Sequence, residues 1–226
     1  MRIAIPIYDG VNVLDVMGPL EMFYWAEIET VLVAKYIGSV RCIEDVNIVA
    51  QGDFANSGSF EVLWVPGGEV AALNRLMYGP DRSYIDYITK LAENAELVCS
   101  VCEGALLLAA AGLLDGYSVT THSAFRKCLT DRFKNVTVVD GHPRFWRDRN
   151  RLTGGGIASG LDEALELVQI LKGTSAAQDV QRTTEYYPDP PVKSQIPTAV
   201  RDCPLGPPPT ARAKRAAGFR SNPYVE

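Results

Sequence analysis

The sequence predicts an α/β protein built as a doubly wound, mostly parallel sheet with helices on both faces. Three observations carry this expectation. Short β-branched runs alternate with helical patterns along most of the chain, the order that a parallel sheet with crossover helices requires. One run, Leu97 to Val101, is almost wholly apolar, as a strand covered on both faces should be. The helix after it, Gly104 to Leu114, is apolar on every side from Ala105 to Ala111, so it must pack inside.

The elements follow in order. Ile3 to Tyr8 reads as the first strand, closed by the turn pair Asp9-Gly10, and Val16 to Ala26 as a helix. Val31 to Tyr36 and Val46 to Ala50 have strand character, with Val40 to Ile43 a short partner between them. Glu61 to Val65 is a further strand that ends in Pro66-Gly67-Gly68. Ile85, Ile88, Leu91, Ala92 and Ala95 recur at helical spacing, which makes Asp81 to Ala95 an amphipathic helix. Strands near Ser118 to Thr120 and Val136 to Val139 flank a helix around Ser123 to Phe133, and a hairpin spans Arg144 to Leu152. The last long helix, Leu161 to Lys172, aligns Leu161, Leu165, Val168 and Leu171 in one stripe and stops at Gly173.

The chain has 226 residues, 47% hydrophobic and 22% charged, with a net charge of −5. This suits a globular domain with a sizeable core and gives no electrostatic reason to expect nucleic acid or an anionic membrane as partner. No apolar stretch nears the ~20 residues needed to span a bilayer, and the opening Met1 to Tyr8 is too short and too alternating for a signal peptide. Five widely spread cysteines suit reduced thiols in a cytoplasm better than a disulfide framework. Composition shifts at Tyr187: nine of the 14 prolines lie in 187–226, where six basic residues face three acidic ones. The expected division is a domain over 1–186 and a Pro-rich C-terminal extension over 187–226, either packed over a domain surface or solvated.

Cys102 is the prime candidate for chemistry. It lies between a strand and a helix, in Ser100-Val101-Cys102-Glu103-Gly104. A nucleophile on such an elbow is expected to point into solvent, with the free N–H groups of the helix favouring its thiolate. Cys99 completes a C-x-x-C, but it falls within the strand and should face the core, where a bond to Cys102 is hard to close. Asp15, among Val13, Leu14 and Val16, is either a helix N-cap or a buried acid–base partner for the thiol. His122 follows a strand, so it can approach the same edge of the sheet as an auxiliary. Gly68 and Glu103 are expected to offer backbone N–H groups as an oxyanion hole, and Gly155 in Gly154-Gly155-Gly156 to bring its backbone close to the thiol. The two histidines and five cysteines do not fall at metal-ligand spacing, so no metal is expected.

Together, Val65-Pro66-Gly67-Gly68, Ser100-Val101-Cys102-x-Gly104-Ala105, Ala110-Ala111-Gly112-Leu113-Leu114-Asp115-Gly116, Thr120-Thr121-His122 and Leu152-Thr153-Gly154-Gly155-Gly156-Ile157 resemble the PfpI superfamily, over about residues 1 to 190. Leu14-Asp15-x-x-Gly18-Pro19 and Gln181 through Tyr186 are most similar to its isocyanide hydratase branch. The resemblance implies the flavodoxin-like sandwich of the class I glutamine amidotransferases and a homodimer with no cofactor. It further implies a Cys102 nucleophile, with Asp15 handling protons during hydration of a small isocyanide. Glyoxalase or deglycase chemistry on reactive carbonyls, and non-catalytic redox sensing, are the alternatives. The branch has threonine after its cysteine and PfpI-type peptidases have histidine; this chain has Glu103, whose like charge should raise the thiol pKa.

Overall fold

A computed structural model describes residues 1–195 and 202–207. Its elements are β1 (Arg2–Pro6), α1 (Val13–Trp25), β2 (Glu29–Ala34), β3 (Gly38–Arg41), β4 (Asn47–Ala50), β5 (Gly52–Asp53), β6 (Val62–Val65), α2 (Val70–Tyr78), α3 (Ser83–Ala92), β7 (Leu97–Ser100) and α4 (Gly104–Ala110). Then come β8 (Ser118–Val119), a 3-10 turn at Ser123–Phe125, α5 (Arg126–Arg132), β9 (Thr137–Val138), β10 (Phe145–Asp148), β11 (Arg151–Gly154), α6 (Ser159–Lys172) and α7 (Thr174–Thr183).

Seven strands form the central sheet in the order β10-β11-β7-β6-β1-β2-β5. Only the β10–β11 pair is antiparallel. The parallel neighbours β11, β7, β6 and β1 therefore open their carboxyl ends on one edge. The strand order reverses between β6 and β1, the kind of switch point where an open sheet leaves a crevice. The expected α/β sandwich is the observed fold. β6 and β7 are buried at every position, and Trp64 of β6 packs edge-on against Phe23 of α1 at 5.4 Å.

Several boundaries differ from those read off the sequence. The Val40 partner strand does not join the sheet; β3 and β4 form their own hairpin, and β8 and β9 a separate parallel pair. The helix after Cys102 stops at Ala110, because the chain turns through Gly112 and Gly116 at φ +73° and +75°. The Ser123 to Phe133 helix splits into the 3-10 turn and α5. Two helices are additional to those read from the sequence: α2, which follows the Gly67-Gly68 turn, and α7, which buries Ala177 and Val180.

The reduced-thiol expectation is corrected. Cys128 of α5 is bonded to Cys203, while Cys42, Cys99 and Cys102 are free and buried. The bond depends on residues 202–207 returning over α2 and α5, a long-range contact with no local signature. Leu205 is buried there, Asn74 Nδ2 donates to its carbonyl at 3.3 Å, and Arg132 donates to the Gly206 carbonyl. This part of the extension is docked; the rest of the segment after 195 lies outside the described residues. Among the described residues no helix is long and apolar enough to cross a membrane.

One carboxyl is embedded in the core. Glu163, on the inner face of α6, is 0% exposed, and its Oε2 fills the space a Cβ on Gly154 would occupy. Neither of its oxygens has a hydrogen-bond partner of good geometry, although the Ser100 N–H faces it. Burial, with a smaller push from Asp15, raises its pKa well above the ordinary range.

Two outcomes follow for stability. Closing a loop of 75 residues is worth about 2–4 kcal/mol, so Cys203→Ser should lower the melting temperature in oxidising buffer by about 5–15 °C. Dithiothreitol should bring the native protein down to the variant's value; equal melting temperatures in oxidising buffer would show that no bond forms. Glu163 acts in the opposite sense with pH. Above about pH 4.3, where an unfolded glutamate ionises, the native state keeps a proton that the unfolded state has lost. Stability then falls by about 1.4 kcal/mol per pH unit up to the raised native pKa. Urea denaturation of Glu163→Gln should show an advantage over the native protein that grows with pH above about 5. A difference that stays constant would mean that Glu163 does not titrate this way.

Candidate active site

The turn from β7 into α4 holds Cys102 at φ +57°, a left-handed conformation that a side chain adopts at a cost of about 1–3 kcal/mol. Its surroundings dictate that conformation. The Cys102 N–H donates to the Gly155 carbonyl at 2.8 Å, and the Thr121 hydroxyl donates to the Cys102 carbonyl at 2.7 Å. The elbow is therefore present, but it does not face solvent as expected: Cys102 is 2% exposed. Burial, then Asp15 and Glu103, raise the thiol pKa well above its ordinary value, opposed by the Ile157 N–H. The donors at the start of a seven-residue helix are outweighed by desolvation and two carboxyls, so the resting group is S–H rather than thiolate.

Asp15 is brought to the thiol by α1. It is not the helix cap: Asn12 Oδ1 accepts from the N–H groups of Leu14 and Asp15, leaving Asp15 in the first turn with its side chain turned inward. Pro19, inside the same helix, has no N–H for the Asp15 carbonyl four residues earlier, and the Trp64 indole N–H takes that carbonyl instead at 3.2 Å. Gly18 lets α6 approach, since a Cβ there would lie 3.2 Å from Leu161 Cδ2. Asp15 Oδ2 accepts from the Gly67 N–H at 2.9 Å, while Oδ1 is unpartnered and the residue is 0% exposed. Burial first, then Glu103, raise its pKa well above the usual carboxylate range; the bonds from Gly67 and Cys102 only partly offset this. Such a carboxylate is a stronger base than a surface aspartate, the direction needed to accept a proton from a thiol.

Glu103 holds the N-cap position of α4 but makes no side-chain capping bond. Its carboxyl turns back over Gly67, where a Cβ would collide with Glu103 Oε2 and lie 2.9 Å from Asp15 Oδ2. Cys102, Glu103 and His122 bring sulfur, oxygen and nitrogen within 4.8 Å of one another, a grouping invisible in their spacing. His122 Nδ1 accepts from the Ala124 N–H at 3.1 Å, so the neutral ring carries its proton on Nε2. That nitrogen is then an N–H donor and not a lone pair free for a metal.

The remaining expected residues divide. The Gly68 N–H and Glu103 N–H donate to no backbone carbonyl among the described residues, as an oxyanion hole requires. Gly155 lies with its backbone beside the elbow, its carbonyl accepting from the Cys102 N–H and its own N–H donating to the Arg144 carbonyl. The glycine-loop donor that does reach the sulfur is the Ile157 N–H. Sequence reading also missed Tyr8, whose buried hydroxyl donates to the Pro66 carbonyl at 3.3 Å and lies where a Gly68 Cβ would come. Its position directly after β1, at the carboxyl edge, was the available signal. A cavity of about 310 Å³ is lined by Thr121, His122, His142, Arg144, Gly156 and Ile157, among others, of which His122 and Ile157 also reach the Cys102 sulfur. Arg144 is paired with Asp162, to which the Tyr186 hydroxyl also donates at 3.2 Å.

Comparison with known proteins agrees with this construction. The model of the DJ-1/PfpI family matches residues 1–170. The isonitrile hydratase of Pseudomonas putida is 35% identical over 198 residues, 87% of this chain and 83% of that protein. A crystal structure of a ThiJ/PfpI family protein from Pseudomonas syringae superposes with a TM-score of 0.76 at 33% identity, covering 84% of this chain and 77% of that one. Drosophila melanogaster DJ-1beta shares the fold, with a TM-score of 0.70 at 20% identity over 81% of this chain and 97% of that one. The nucleophile elbow, the acid on the first helix and these matches have one reading: the chain belongs to the DJ-1/PfpI family.

Proposed function

We propose that this protein is an isocyanide hydratase-type enzyme, converting R–N≡C and water into an N-substituted formamide without a cofactor. The observation that carries the reading is the buried Cys102 S–H held against Asp15, whose carboxyl is fixed by the Gly67 N–H. The likeness to the Pseudomonas putida isonitrile hydratase supports it. In the first step the sulfur bonds to the isocyanide carbon while the thiol proton passes through Asp15 to that same carbon. The product is a thioimidate, R–N=CH–S–Cys102. Water then adds to the thioimidate carbon and a proton reaches nitrogen. The C–S bond breaks, the carbonyl forms and the thiol recovers its proton. Covalent catalysis divides one difficult hydration into two easier steps. A neutral S–H at rest suits this sequence, because the first half is a net addition of S–H across one carbon.

A second reading, glyoxalase or deglycase chemistry on a small carbonyl, is favoured by the polar cavity wall of His122, His142 and Arg144. Redox sensing is disfavoured by the same burial and raised thiol pKa that suit the hydratase, since an oxidant-sensing cysteine is exposed and low in pKa. The protein works as a homodimer in this reading. Leu14 of α1 and Ile43, Val46 and Val49 around the β3–β4 hairpin are exposed apolar residues suited to a partner subunit.

Purified protein should hydrate an aryl isocyanide. Cys102→Ala should abolish turnover, and Asp15→Asn should reduce kcat by about 100-fold or more. Activity on methylglyoxal without isocyanide turnover would select the second reading; full activity in Cys102→Ala would exclude both. Light scattering should give twice the 24.7 kDa chain mass, and a monomer at micromolar concentration would contradict the dimer.

A further inference from the structure

Glu103 makes no capping bond and joins no ion pair among the described residues, although it is 93% buried on the wall of the site. Its carboxyl is instead turned to the reactive group, for it shares a side-chain hydrogen bond with the Cys102 thiol, and its surroundings suggest what it does there. It shares the space over Gly67 with Asp15, but the two acids face different ways. Asp15 is wholly enclosed, with one oxygen tied to the Gly67 N–H. Glu103 reaches His122, and His122 lines the cavity. His122 thus joins the Cys102–Glu103 pair to a cavity that can hold water.

We propose that Glu103 is a second catalytic acid–base group, which activates water for hydrolysis of the Cys102 adduct while Asp15 serves the step that forms it. This rests on the isocyanide hydratase reading above. In the second half, the Glu103 carboxylate takes one proton from water as the water oxygen bonds to the thioimidate carbon, and passes it to the nitrogen. The intermediate is R–NH–CH(OH)–S–Cys102. As the C–S bond breaks, the hydroxyl proton moves through Glu103 to the departing sulfur, which leaves R–NH–CHO and returns Cys102 and Glu103 to their starting forms. His122, whose Nδ1 is engaged by the Ala124 N–H, lies within 4.8 Å of this group and serves as a positioning residue for it.

The test is rapid-quench intact-mass spectrometry with an aryl isocyanide, beside steady-state kinetics, on wild type, Glu103→Gln, Glu103→Ala and Asp15→Asn. Glu103→Gln should form the adduct within about 3-fold of the wild-type rate and then accumulate it, at a mass increased by one substrate molecule. Its kcat should fall by about 100-fold. Asp15→Asn should show little adduct at any time. Acetate added to Glu103→Ala should restore part of the lost turnover, a rescue that a purely structural role would not permit and that stays informative if the glutamine variant folds poorly. Turnover of Glu103→Gln within about 3-fold of wild type would overturn the assignment, as would loss of adduct formation in both Glu103 variants with no rescue by acetate. Wild type that neither forms an adduct nor hydrates the isocyanide would overturn the hydratase reading, and the inference with it.

Discussion

The hydrogen bond from the Gly67 N–H to Asp15 Oδ2 is the contact on which the site depends. It joins the end of β6 to the first turn of α1 at the point where the sheet order reverses. A side chain at residue 67 would collide with the Glu103 carboxyl and with Asp15, so the closeness of the two acids requires glycine there. The same junction orders the surroundings. Trp64, just before it, takes the carbonyl that Pro19 leaves unbonded in α1, which couples the helix to the strand and holds the Asp15 side chain inward. The elbow is pinned from the other side by the Gly155 carbonyl and the Thr121 hydroxyl. Cys102 is thus held between two sets of backbone contacts, and its strained φ persists because both demand it.

The electrostatic character of the site follows from this closeness. Asp15, Glu103 and Glu163 are three carboxyls buried within one region, and the free thiol lies among them. Burial first, and then the like charge of their neighbours, raises the pKa values of Asp15, Glu163 and Cys102 together. Burial and the neighbouring carboxyls accordingly oppose a thiolate here. That distinguishes the pocket from sites in which a cysteine is activated by a neighbouring histidine cation or a helix N-terminus. It suits a substrate whose carbon must gain both a sulfur and a proton.

Much of this was legible in the sequence. Strand–helix alternation and the apolar runs at Leu97 and Ala105 specified a parallel sheet with a buried helix, and both are found. Cys102, Asp15, Gly67-Gly68 and His122 each follow a strand or open a helix, so their convergence could be anticipated from topology. Other features were not legible, for separate reasons. Helix α7 is polar overall and buries only Ala177 and Val180, so it stands out little beside the long helix α6 before it. The Cys128–Cys203 bond joins segments 75 residues apart. Glu163 sits among apolar helix positions, where its residue type suggests a solvent-facing side chain, yet it is wholly buried.

Local chemistry by itself determined most of the elements and marked Cys102 as the candidate nucleophile, because strand periodicity, glycine turns and an elbow are encoded by neighbours a few residues apart. Only the tertiary structure decided the surroundings of that thiol. Whether an elbow thiol is exposed and ionised, or enclosed and protonated, depends on the charge and solvent supplied by groups far away in the chain. Here those groups are Asp15 from α1 and the Ile157 N–H, acting on Cys102 with the adjacent Glu103. The side chain of Glu103 could have pointed anywhere from its place in the sequence. The missing Cβ of Gly67 is what allows it to fold back over the site.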